Sequence, residues 1–95
     1  PSVVDFIEIA TAGKNYELQL EESRIAADSA LVGKDLIASG IRKDLGIIVV
    51  GVKKDDGQML FNTSPATVID AGDVLITLGE PAAIENFERI ATTKA

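Results

Sequence analysis

The chain is 95 residues long, with 15 acidic and 9 basic side chains, a formal charge of -6, and neither histidine nor cysteine. A chain of this size buries roughly 60 to 65% of its unfolded surface, enough for one modest core, and 46% hydrophobic against 25% charged residues excludes wholesale disorder. Missing imidazole and thiol remove a Ser-His-Asp triad, a thiol nucleophile, a disulfide framework and the usual zinc ligands. The negative charge disfavours nucleic-acid polymers, since the only basic pairs, Arg42-Lys43 and Lys53-Lys54, make no stripe.

The chain starts at Pro1 without Met, as expected of a piece cut from a longer polypeptide. Ser2 and Asp5 suit the start of a helix, with Val3, Ile7 and Ala10 on one face and Gly13 as its stop. Two readings stay open for residues 1–13: a helix packing on its own core, or a connector docking on a preceding domain or second subunit, because Val4 and Phe6 widen the apolar stripe. From Tyr16 the period becomes two, and Tyr16, Leu18 and Leu20 on one side with Glu17, Gln19 and Glu21 on the other predict a half-buried strand. Leu31 to Gly40 fits a short helix opened near Gly33 and closed by Gly40. Gly46 to Val52 is apolar on both faces and rich in β-branched residues, which predicts a central strand covered on both sides.

Lys53 to Gln58 carries hairpin-turn chemistry centred on Asp56-Gly57 and leads into a strand at Met59-Leu60-Phe61. Ser64-Pro65 breaks that strand, Ala71-Gly72-Asp73 turns the chain, and Val74 to Leu78 forms another strand. Glu80-Pro81 opens a last helix with Ile84, Phe87 and Ala91 on one face. The expected fold is therefore α+β: a small, mostly antiparallel sheet of about four strands with a short crossover helix and flanking helices at both ends.

Chemistry-bearing motifs are few. No phosphate-cradling Gly-rich loop is present, and Asp55-Asp56-Gly57 lacks the ligand spacing of an EF-hand, so it reads as turn solvation. Glu21, Glu22 and Asp28 are the densest oxygen cluster outside the turns, candidates for a divalent cation or simply a solvated strand end. Nothing indicates an enzyme.

Val32-Gly33-Lys34-Asp35-Leu36, then Gly40 to Val52, then Pro65, then Ile69 to Gly79, in that order and spacing, resemble the TrkA-C (RCK-C) domain, the C-terminal regulatory lobe of prokaryotic potassium channels and transporters. The resemblance spans about residues 14 to 92, which divides the chain into a connector at 1–13 and the regulatory domain at 14–95. It implies a non-catalytic, cytoplasmic module that forms homodimers and works with an upstream Rossmann-like lobe and a membrane channel or transporter subunit. It also implies a possible effector, cyclic di-AMP, at the dimer interface. Carried over by position, Leu36 and Ile41 would wall the bases, Arg42 would face a phosphate and Pro65 would close the pocket. Ile48 stands where nucleotide-binding members tend to carry Asn, and the histidine that some use near the phosphate is absent. The competing readings are a surface role for Arg42, paired with Asp44 or Asp35, core roles for Leu36 and Ile41, and an edge-strand stop at Pro65. A divalent-cation sensor and a purely structural oligomerisation module complete the alternatives.

Overall fold

The computed structural model describes residues 18–61 and 63–92. The strands are β1 (Gln19–Arg24), β2 (Ile48–Lys53), β3 (Met59–Phe61) and β4 (Val74–Gly79), followed by one helix, α1 (Pro81–Thr92). They form one antiparallel sheet in the order β1-β4-β2-β3. The expected N-terminal helix, residues 1–13, lies outside the described residues.

The hairpin between β2 and β3 follows from its turn chemistry. Gly57 takes φ 93, Lys54 and Gln58 close the turn by a 2.7 Å backbone bond, and the Asp56 carboxylate accepts the Gln58 amide at 2.9 Å. Pro81 opens α1 where no amide partner is needed, and the Glu80 carbonyl accepts the Ile84 amide at 2.9 Å. Ile84, Phe87 and Ala91, one face at helical spacing, are buried against β1 and β4.

Register assigns the two faces of the sheet. Ser23, Leu75, Val52 and Leu60 share the face under α1, and the core continues through Ile25, Leu31, Ile41, Ile47 and Ile69. The opposite face carries Leu20, Leu78 and Ile48 in one row and Glu22, Ile76, Gly51 and Phe61 in the next. It is bare over much of its area: Phe61 is 74% exposed and Ile48 53%.

Three expectations are corrected here. β1 turns its Leu20 side outward and its Glu21 and Ser23 side toward α1, the reverse of the apolar-in reading. Burial there is decided by which face the helix covers: Ser23 is buried with its Oγ 3.3 Å from Glu88 Oε2. β2 lies inside the sheet but is not covered on both sides. The register slips between Val49 and Gly51, so Val50 sits at a bulge and is itself exposed.

The segment from Leu31 to Gly40 is a succession of turns rather than a helix. Its amides are drawn away from a helical ladder toward the chain after β3: Gly33 N donates to Ile69 O, Leu36 N to Thr67 O and Ile37 N to Pro65 O, while Asp35 bridges Val68. With Gly33 at φ 86 the chain leaves helical geometry there. Leu36, read as core, is only half-buried, whereas Ile41 is fully buried.

Candidate functional site

The ladder that prevents a helix also builds a groove. It holds residues 33–37 beside residues 65–69, and the next turn, residues 40–46, closes one side. In that turn Asp44 N and Leu45 N both donate to Gly40 O, Gly46 N to Arg42 O and Ile47 N to Ile41 O, with Gly46 at φ 72 reversing the chain into β2. Ile41 points into the core, and Arg42 and Lys43 stand on the exposed side.

The resulting groove has a volume of about 530 Å³ and is lined by Leu36, Ile37, Ile41, Arg42, Lys43, Ile47, Ile48, Val49, Thr63 and Pro65. All five residues singled out in the sequence, Leu36, Ile41, Arg42, Ile48 and Pro65, therefore meet in one place, although 29 positions separate the first from the last. Ile48 belongs at once to the groove and to the bare face of the sheet, so the two surfaces are continuous. Arg42 makes no ion pair among the described residues, with Asp44, Asp35 or any other acid. A groove with aliphatic walls and cations at its rim suits a ligand with flat apolar rings and a phosphate.

Lys43, Ile37, Ile47, Val49 and Thr63 line the same groove without having been singled out as site residues. The Arg42-Lys43 pair was visible as a charge doublet. Ile37 and Thr63 reach the groove through the 33–37 to 65–69 ladder, which has no local sequence signal.

The cation candidates do not assemble. Glu21 and Glu22 are successive strand residues and project to opposite faces of β1, Glu21 beside Thr77 and Glu22 beside Ile76, while Asp28 sits in a later turn. Among the described residues no group of three or more acidic side chains is arranged to hold a metal.

A second polar cluster lies at the other end of β2. Lys54 Nζ is 2.5 Å from Asp73 Oδ2 and 2.8 Å from Asp70 Oδ2, and also donates to Val68 O at 3.3 Å. Burial works against the ammonium charge, but the bonds and Coulombic attraction of Asp70 and Asp73 outweigh it and hold the Lys54 pKa above its ordinary value. Asp73 is fully buried and its Oδ2 also accepts the Asp70 amide at 2.9 Å. This cluster fixes the 70–73 turn to β2 and is structural.

Comparison with known proteins places the chain. The family model of the TrkA-C domain matches residues 20–92. Among curated proteins, the ammonium/H(+) antiporter subunit AmhM of Alkalihalophilus pseudofirmus is 33% identical over 70 residues, covering 74% of this chain and 41% of that protein. Potassium channel protein 1 of Methanocaldococcus jannaschii is 33% identical over 90 residues, covering 94% of this chain and 26% of that protein. The chain thus spans less than half the length of either.

Two solved structures share the fold. The RCK C domain of the potassium transport protein KtrA, in complex with cyclic di-AMP, superposes with a TM-score of 0.74 at 24% identity, covering 93% of this chain and 94% of that one. The RCK_C domain dimer of S. agalactiae BusR, also in complex with cyclic di-AMP, gives 0.69 at 20% identity, covering 75% and 92%. With the family model matching nearly all of the described fold, the chain belongs to the TrkA-C (RCK-C) family, whose members are regulatory domains and not enzymes.

Proposed function

We propose that this domain is the cytoplasmic ligand-sensing and dimerisation module of a potassium channel or potassium-uptake system, with an effector site for cyclic di-AMP in the groove at the dimer seam. The observation that carries the reading is the convergence of Leu36, Ile41, Arg42, Ile48 and Pro65 on one groove that opens onto an exposed apolar sheet face. Aliphatic side chains pack against the faces of purine rings, and a guanidinium offers paired donors to phosphate oxygens. A ligand with two-fold symmetry suits a two-fold interface, where each protomer supplies one half of the site.

The bare face supports the dimer. Leu20, Ile48, Val50 and Phe61 leave an apolar surface bordered by Glu22, Arg24 and Lys53, the apolar centre and charged rim of a protein interface. Residues 1–13 would connect this domain to an upstream Rossmann-like lobe and, through it, to the membrane subunit. The relation to a potassium channel and the fold shared with a potassium transport protein favour potassium, while the antiporter subunit keeps other cations open as the transported species.

Calorimetric titration tests the reading. Cyclic di-AMP should bind, and calcium should not, because Glu21, Glu22 and Asp28 do not come together. Silence toward the nucleotide at millimolar concentration, with a dimer still present, would favour a purely structural oligomerisation module. Calcium binding without nucleotide binding would favour a divalent-cation sensor.

A further inference from the structure

The polar side chains lining the groove are Arg42, Lys43 and Thr63, and every other lining side chain is aliphatic. None of the three makes a side-chain hydrogen bond or ion pair among the described residues, unlike Lys54, which is committed to Asp70 and Asp73. The adjoining backbone is also occupied: the amides of Asp44, Leu45, Gly46 and Ile47 donate within the turn, and that of Ile37 donates to Pro65. Among the described residues, two cations and one hydroxyl without partners thus border a groove whose other lining side chains are hydrocarbon.

Resting on the proposed nucleotide site, we infer that the groove recognises a cyclic dinucleotide by its phosphates and its shape rather than by its bases, with Lys43 as a second phosphate contact beside Arg42. Arg42 supplies a planar fork and Lys43 a compact ammonium that can reach the same phosphate from the neighbouring position of the turn. The base edges, by contrast, would meet the accessible side chains of Ile48, Ile37 and Leu36, which neither donate nor accept, and Thr63 offers a single hydroxyl. Apolar sites discriminate weakly between similarly shaped ligands. Strong rejection requires buried polar groups that the wrong ligand leaves unpaired, and among the described residues the walls offer no such side chain. The guanine and adenine cyclic dinucleotides should therefore both be accepted.

The test is a calorimetric comparison of cyclic di-AMP and cyclic di-GMP on the unaltered chain, on Lys43→Gln and on Lys34→Gln, an exposed cation outside the groove. The two ligands should bind within roughly a hundredfold of each other. Lys43→Gln should weaken both by a similar factor, roughly tenfold, and flatten the salt dependence, while Lys34→Gln changes neither. Discrimination beyond a hundredfold, or unchanged binding in Lys43→Gln, overturns the inference and leaves the nucleotide site standing. Binding of neither ligand to the unaltered chain overturns the parent reading and this one with it.

Discussion

Lys54 Nζ lies 2.5 Å from Asp73 Oδ2, joining an ammonium that is one-fifth exposed to a carboxylate that is fully buried. The two residues are 19 positions apart, and their contact pins the turn before β4 to the end of β2. Among the described residues Asp73 Oδ1 is buried without a hydrogen-bond partner, so the carboxylate depends on Lys54 and on the Asp70 amide at its other oxygen. Replacing Lys54 by Met removes the counter-charge from a buried anion and should destabilise the domain by about 3 kcal/mol in urea unfolding. A loss below about 1 kcal/mol would mean that the pair behaves as a surface ion pair.

The same pair sets an alkaline limit. The folded-state pKa of Lys54 is raised above its ordinary value near 10.5, so its stabilising contribution is complete below that pH and is lost as pH rises through the higher folded value. Thermal unfolding should show an alkaline fall in stability that is smaller in Lys54→Met. An identical alkaline profile in the two proteins would remove Lys54 as its source.

The bare face predicts association. Phe61→Asp places a charge on a side chain that is 74% exposed in the single chain, so the fold should survive while the dimer does not. Sedimentation should give a dimer for the unaltered chain at high micromolar concentration and a monomer for the variant. The midpoint of thermal unfolding should rise with concentration only in the former.

Most of the sheet was legible because its signals are local. Asp56-Gly57 sets the hairpin, Pro81 starts the helix, and Ile84, Phe87 and Ala91 mark its buried face. Leu31 to Gly40 was misread as a helix because the competitor for its amides, residues 65–69, lies some thirty positions away, and a single segment does not show that partner. The outward Leu20 and inward Ser23 misled for the opposite reason: the alternation was real, but the helix decides which side is covered, and no strand-local signal shows where the helix packs. The groove residues carried by the family resemblance came together, while Ile37, Lys43 and Thr63 joined them through the tertiary fold.

Arg42 should carry most of the phosphate attraction in the groove. Arg42→Ala should weaken cyclic di-AMP by roughly 1.5 to 3 kcal/mol without altering the unfolding midpoint of the unliganded domain, since the guanidinium pairs with no acid among the described residues. Equal affinity in the variant would place the phosphate elsewhere.

The stoichiometry of cyclic di-AMP binding tests the central claim most directly, because a groove at a two-fold seam is completed only by two chains. Calorimetry on the unaltered domain, with sedimentation of the same samples, should give one ligand per two chains and a dimer that strengthens on saturation. One ligand per chain on a monomer, or no binding at all, would contradict a shared effector site at the dimer seam.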